Sequence, residues 1–385
     1  MTIRALDASS LSSFESGSTV GPDHVAKRGP TVGASRPFSS ENADRLNVPP
    51  VLAPSFTAVE RSPLAVNPRS WDRFAESCGA SLRSSHAHMM AWTIKNLGFY
   101  RLRLFEVYVG SGGDGRKIGQ CAIGAARVGP NAIFIDRLQL LPEHEASWRL
   151  AMEAILTKAG GGQYDYGWVL SLEAPREAEL AQIAGVEMDE VRPLVVHAVD
   201  FAQWSNWDAY YSAISENSRR NAKSALKNFK TVEVKTRSGI GAVRFVPAIM
   251  RLRSGISERK GLDIKESGAA IGYAATILSC PRYMTASVVS GDGMNLACFY
   301  GAEFGQNTYY LEGGSAQKNG GTAWHLLIAM LRRTYERTPT GKLIMGYVDY
   351  STHDEEKSAG LLRSRQACRV SDYATSTLKF RYTPA

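Results

Sequence analysis

Gln317-Lys318-Asn319-Gly320-Gly321-Thr322-Ala323 stands between a run with strand alternation and a helix whose apolar face is Trp324, Leu327, Ile328 and Leu331. Glycines at such a junction let backbone N–H groups turn toward one point, and the helix N-terminus adds the positive end of its dipole. The combination suits a pyrophosphate, although a glycine-rich lead into a helix with no ligand would look the same. A second marked stretch is basic. Between Asn217 and Lys265 there are thirteen basic and three acidic residues, so this segment carries +10 while the whole chain carries +8. Arg219, Arg220, Lys223, Lys227 and Lys230 recur at spacings of three and four and share one helical face, with Ala222, Ala225, Leu226 and Phe229 on another. Like charges at that spacing cost a helix roughly 0.2–0.5 kcal/mol each. An anionic partner explains keeping them, and a phosphorylated acceptor, the phosphate tail of a donor and tRNA all qualify. A solvated helix face is the plain alternative.

The remaining reactive side chains exclude more than they suggest. The five cysteines are odd in number and far apart, and the seven histidines show no ligand spacing, so neither a disulfide framework nor a metal site is expected. Unpaired thiols fit a reducing, cytoplasmic setting. His325, in the first turn after the glycine stretch, is the one histidine placed to act as a base.

These residues must be positioned by a sizeable scaffold. A chain of 385 residues predicts two or three domains, and 44% apolar against 21% charged residues is a globular balance that excludes general disorder. No apolar window is long enough for a spanning helix. Residues 1–55 hold ten serines, six prolines and four glycines without periodicity and are expected to be a disordered leader, either a plain tail or a signal for a specialised secretion system. Period-two alternation predicts a hairpin from Tyr100–Gly110 and Ile118–Val128, then a strand Ala132–Leu141, a helix Glu143–Ala159, a strand Trp168–Leu172 and a helix Arg176–Ile183. A second unit is expected from Trp204. It opens with a helical region capped by Ser205 or Ser218, then a strand Thr231–Lys235 and helices Ala242–Arg259 and Ala269–Leu278. Strands Met284–Val289, Met294–Ala302 and Asn307–Gly313 precede the glycine stretch and the helix Thr322–Arg337. The strand Lys342–Asp349, the helix Asp354–Arg365 and strands Cys368–Tyr373 and Thr377–Tyr382 close the chain.

Strand order and loop together resemble the GNAT-fold acyltransferases, whose pyrophosphate loop reads Gln/Arg-x-x-Gly-x-Gly/Ala. Gln317 and Gly320 match it; Thr322 takes the last small position, with Ala323 one residue later. Leu138–Glu145 (LQLLPEHE) lacks any glycine at the corresponding place, so the first unit looks like a degenerate copy. Trp207-x-x-Tyr210 followed by Ser218-Arg219-Arg220-Asn221-Ala222-Lys223 is similar to a segment of the FemAB-like and cellulose- or exopolysaccharide-associated acyltransferases. So is Asp349-Tyr350 followed by Glu355, Glu356 and Lys357, with Glu356 where that group has tyrosine.

The resemblance implies a mixed α/β (α+β) fold of tandem GNAT-like units: a leader at 1–55, a degenerate unit at 56–203 and a catalytic unit at 204–385 containing the basic helix 217–230. It implies acyl transfer from acyl-CoA, or an acyl carrier protein, to an amine or hydroxyl acceptor. Gln317, Asn319, Gly320, Gly321, Thr322 and Ala323 would hold the donor, and Arg219, Arg220, Lys223 and Lys227 an anionic small-molecule or saccharide acceptor some way from it. Such chemistry needs a base for the acceptor and a partner for the carbonyl oxygen as it gains charge. Glu312 and Asp349 are the candidate bases, Tyr310 and Tyr350 candidate donors to the leaving sulfur, and Lys357 a cation for the oxyanion. An aminoacyl-tRNA donor is the alternative within the fold; a non-catalytic polyanion-binding module is the alternative outside it.

Overall fold

The computed structural model describes residues 55–110, 115–260, 266–318, 320–349 and 362–384, the side chains of 256–260 and 266–269 excepted. The expected leader therefore lies outside the described residues, apart from Ser55. The first half runs β1 (Phe56–Arg61), α1 (Pro68–Ser77), α2 (His86–Lys95), β2 (Tyr100–Val109), β3 (Arg116–Ala126), β4 (Asn131–Phe134), β5 (Gln139–Leu140), α3 (Trp148–Ala159), β6 (Gly162–Tyr166), α4 (Glu177–Leu180) and β7 (Val186–Asp200). Helices α5 (Trp207–Ala213) and α6 (Glu216–Asn228) connect it to β8 (Val232–Ser238), α7 (Val246–Lys260), α8 (Glu266–Ser279), β9 (Met284–Gly291), β10 (Met294–Phe304), β11 (Asn307–Ser315), α9 (Thr322–Arg337), β12 (Lys342–Val348) and β13 (Ser371–Tyr382). Residues 362–367 are also helical.

All strands join one sheet in the order β1-β2-β3-β4-β6-β13-β7-β12-β11-β10-β9-β8, with β5 paired to β3. That order is a palindrome about β13 and β7. Each half contributes a strand, a helix pair, three antiparallel strands, a helix and a parallel strand, and each then gives its last strand to a shared central pair. β13 pairs β7 along its whole length and also pairs β6 of the first half, while β7 pairs β12 of the second. The halves have exchanged their final strands.

The core follows the same plan. In the first half, Trp148, Met152, Ile155 and Leu156 of α3 pack on one face of the sheet against Phe105, Ile118 and Phe380, the last from β13. Trp71 of α1 and Met89 of α2 cover Leu102 and Leu104 on β2. In the second half, Leu326, Leu327, Met330 and Leu331 of α9 pack with Phe299 and Leu343. A further cluster crosses the boundary, joining Ala75, Leu82 and Leu170 to Ile249, Tyr283, Phe304 and Tyr309. Tyr283 donates its hydroxyl to Asp72 of α1 within that contact.

Several expected elements are corrected. Strand β7 has no counterpart in the sequence reading, because the adjacent acids Asp189 and Glu190 and then Pro193 break its alternation. Pro193 lies beyond Val195, the last residue β12 pairs, on a stretch bonded to β13, where a missing N–H is tolerated. Residues 168–172 form a loop, and the strand in that region is β6. The expected strand Ala132–Leu141 is broken into β4 and β5. The helix expected from Glu143 opens as a 3-10 turn, Pro142–Ser147, before α3 begins. The caps of α5 and α6 are Asn206 and Ser215, which accept from the N–H groups of Ala209 (2.8 Å) and Ser218 (3.2 Å). The two terminal strands are one, β13, since Ala374–Ser376 keep their pairing with β7.

Candidate active site

β11 and β12 run parallel but pair only through Asn307–Tyr309 and Lys342–Ile344. Beyond those residues β11 stays with β10 as far as Ser315, and β12 stays with β7 as far as Val348, so the two strands diverge. A wedge opens between neighbouring strands of a continuous sheet. Glu312 stands on one lip of it and Asp349, just past β12, on the other.

Glu312 is largely buried and forms an ion pair with Arg253 of α7. α7 approaches this part of β11 closely, since a Cβ on Gly314 would sit 3.0 Å from the backbone nitrogen of Arg253. Burial pushes the Glu312 carboxyl up to about 7, against the pull of Arg253, so it changes charge near neutral pH. Asp349 is buried too, with Oδ2 accepting at 2.5 Å from Nε of Arg192 on β7. Its carboxylate is thereby tied to the exchanged strand.

Tyr310 packs edge-on against Phe299, ring centroids 5.1 Å apart, and burial raises its phenol well above the ordinary range. Its hydroxyl lies over Gly313, where any Cβ would overlap it. Nearby, Gly346 takes a left-handed φ of +116° at an irregularity in β12, and the Arg365 guanidinium occupies the space its Cβ would need. Arg365 is buried, donates to the Tyr347 carbonyl (3.1 Å) and faces His197 Nδ1 (3.0 Å). Burial holds the guanidinium down to about 10 and, with Arg365 alongside, His197 down to about 4. Tyr350, Lys357 and Asn319 lie outside the described residues.

The glycine stretch meets a partner that its sequence does not announce. Ser224 Oγ (3.1 Å) and Asn228 Nδ2 (3.0 Å) of α6 both donate to the Gly320 carbonyl. Gly321 has φ +92°, and a Cβ there would overlap the Asn221 carbonyl. Gly321 is also the residue preceding α9, which receives no side-chain cap. Thr322 and Ala323 are buried in the packing, whereas Gln317 and Lys318 are exposed. His325 N–H bonds the Gly321 carbonyl at 3.0 Å, as an ordinary helix residue does. The basic helix and the glycine loop are therefore one structural feature, which corrects the expectation that they are remote. On α6, Ser218, Ala222 and Ala225 are buried and Arg220, Lys223 and Lys227 exposed; Arg219 is half-buried beside the Tyr211 ring and bonds the Ile214 carbonyl (3.1 Å). Leu226, expected on the packed face, is exposed on its flank.

The palindrome places a second wedge in the first half. β4 and β6 pair in parallel only at Asn131–Ile133 with Gln163–Asp165, and Asp136 follows Asn131 at the same interval as Glu312 follows Asn307. This wedge is filled by the protein itself. Asp136 accepts from Ser81 (2.7 Å) and Ser84, and Arg137 donates to Thr375 Oγ1 (2.7 Å) and the Ser376 carbonyl (2.6 Å) of β13. Glu173, 3.5 Å from Arg137, is pushed up to about 8 by burial. Where the first unit lacks a glycine loop, it holds β5 and a 3-10 turn.

Sequence reasoning missed the partner arginines, Arg253, Arg192 and Arg365, and the Asp136–Arg137 pair. A signal existed for the pair, since two charges interrupt the apolar run of Ile135 and Leu138. Among the described residues no group of three His, Cys, Asp or Glu is placed to hold a metal.

No protein-family model matches this sequence, and neither does any curated protein. Among solved structures, FemX superposes with a TM-score of 0.62 at 14% identity, covering 85% of this chain and 97% of FemX. A tandem GNAT protein from the clavulanic acid biosynthesis pathway (TM-score 0.46, 12% identity, 86% and 100% coverage) and L-PGS from Bacillus licheniformis (0.47, 13%, 82% and 92%) are more distant. The doubled strand order, the two wedges and the superposition on FemX agree: the chain has the FemX fold, two GNAT-like units in tandem.

Proposed function

We propose that this protein is an acyltransferase whose reaction takes place in the β11–β12 wedge, with 204–385 as the catalytic unit and 56–203 as its degenerate copy. The observation that carries the reading is Glu312, a buried carboxyl at the wedge that ionises near neutral pH beside a single guanidinium. A base poised there can take a proton from an ammonium acceptor before its nitrogen attacks the acyl carbon, or from a hydroxyl acceptor as its oxygen attacks. The bond from that carbon to the donor's leaving atom then breaks, and the leaving sulfur or oxygen needs a proton. Tyr310, whose phenol stays protonated, is the candidate to supply it. Asp349 acts as a positioning residue through Arg192, and Tyr350 and Lys357 stay candidates for leaving-group and oxyanion contacts. The donor would be acyl-CoA or an acyl carrier protein, its phosphates against the α9 N-terminus and the cationic stripe of α6.

A specific observation favours a second donor. Arg220, Lys223, Lys227 and Lys230 are exposed, and none is in an ion pair among the described residues. A stripe of cations without ion-pair partners suits an aminoacyl-tRNA as well as coenzyme A. The deciding experiment incubates the full chain with an acyl-CoA panel and, separately, with aminoacyl-tRNA, and follows loss of donor beside the Glu312→Gln variant. Turnover of one donor class that falls about a hundredfold in the variant supports the reading. Turnover unchanged in the variant, or binding of polyanions with neither donor consumed, overturns it in favour of a polyanion-binding module.

A further inference from the structure

At the far end of the first unit from its filled wedge, large apolar side chains stand in water. Ile94, Leu97 and Phe99, in the last turn of α2 and the loop to β2, are 66%, 59% and 64% exposed, and Val128 in the β3–β4 turn is 90% exposed. They are neighbours. The Arg127 N–H bonds the Phe99 carbonyl at 2.8 Å, and Arg127 Nε bonds the Leu97 carbonyl at 3.0 Å. Beneath them Trp92 packs against Tyr100, centroids 5.3 Å apart, with its indole over Gly124. Scattered apolar residues on a surface are normal, but four on two adjoining loops over an aromatic floor mark a contact site.

The charge around the patch identifies what it meets. Lys95 and Arg127 are exposed among these side chains, and the stretches 91–103 and 121–130 contain no acidic residue. Neither cation is in an ion pair among the described residues. A second copy of this chain meeting the patch through a two-fold axis would bring these cations against their own images. An anionic surface would satisfy them. Apolar side chains that protrude rather than line a groove need no complementary pocket if they enter the interfacial layer of a bilayer, where aromatic rings and basic residues at the boundary also fit. We infer that the α2–β2 loop and the β3–β4 turn form a peripheral docking surface for anionic lipid membranes. No helix among the described residues is long and apolar enough to cross a membrane, so the contact is with the surface.

Co-sedimentation of the full chain with vesicles tests this. Vesicles of phosphatidylcholine containing about 30 mol% phosphatidylglycerol should bind the protein, with affinity falling as salt rises, and phosphatidylcholine alone should bind it weakly. The variant Leu97→Ser/Phe99→Ser should lose on the order of a hundredfold in affinity for the anionic vesicles, and the variant Lys95→Gln/Arg127→Gln on the order of tenfold. Both should keep the parent's melting temperature by circular dichroism, since the changed side chains are exposed; if one unfolds, Val128→Ser with Ile94→Ser replaces it. Three outcomes overturn the inference: no binding to anionic vesicles; binding lost only when Arg220, Lys223 and Lys227 are changed to Gln; or a dimer, seen by light scattering, that the Leu97→Ser/Phe99→Ser variant dissociates.

Discussion

Glu312 owes its properties to its surroundings, and those surroundings make it testable by pH. Its carboxyl is raised from an ordinary 4.5 to about 7 by burial. As a base it must be ionised, so the rate of acyl transfer should climb with pH and level off above about 8, and Glu312→Gln should lose that limb along with roughly a hundredfold in kcat. Stability should move the opposite way. Between 4.5 and 7 the folded chain holds a proton on Glu312 that the unfolded chain has released, so raising pH through this window destabilises the wild type relative to the glutamine variant. Melting temperatures of both proteins between pH 5 and 8 check this; a constant difference between them would show that Glu312 does not titrate there. The positions of the carboxylates were legible through the family resemblance, which puts the splay of the sheet at the ends of these two strands. Their partners were not: Arg192 lies 157 residues from Asp349, and no local pattern reports a contact made across an exchanged strand.

Among the elements, α9 was readable to its boundaries, Thr322–Arg337, because a glycine pair precedes a long amphipathic stretch. The purpose of the glycines was not readable, since it depends on α6. Gly321 combines a left-handed φ with backbone of α6 against its Cα. Gly321→Ala should therefore cost roughly 2–4 kcal/mol, by strain in φ plus displacement of the two helices, before any ligand is considered. Urea denaturation measures it, and a cost below about 1 kcal/mol would mean that α6 yields easily. The same contact changes the meaning of charge reversal on α6. Arg220→Glu, Lys223→Glu and Lys227→Glu together should weaken coenzyme A as well as tRNA, about tenfold or more at low salt, because both would draw on one cationic stripe beside the α9 N-terminus. Isothermal titration with each ligand would show it; a loss confined to tRNA would put the donor's phosphates elsewhere. β7 escaped the sequence reading for a related reason. Its alternation is interrupted by Pro193, and its burial comes from strands that follow it by more than 140 residues.

The whole molecule cannot be taken apart at the boundary that its sequence suggests. The sequence suggests a boundary between 203 and 204, yet each half's sheet is completed by the other's last strand. β13 supplies Leu378, Phe380 and Tyr382 to the core of the first half and bonds β6 from Gly162 to Tyr166. Each such side chain contributes about 1.5–3 kcal/mol by burial, a sum comparable to the ~5–15 kcal/mol that stabilises a typical domain. Deleting residues 371–385 should therefore unfold the half of the protein that lies farther away in sequence. Hydrogen exchange followed by mass spectrometry reads this directly. In the full chain, amides of β2 and β3 should exchange with the same free energy as those of β10 and β11, as expected of one cooperative sheet. In the truncated chain protection should vanish from β2, β3 and β6 together, and residues 56–203 expressed alone should behave in the same way. If that fragment instead retained native protection in β2 and β3, the exchanged strand would be an addition to a unit that already folds without it, and the palindrome would describe where the strands lie without describing what holds them there.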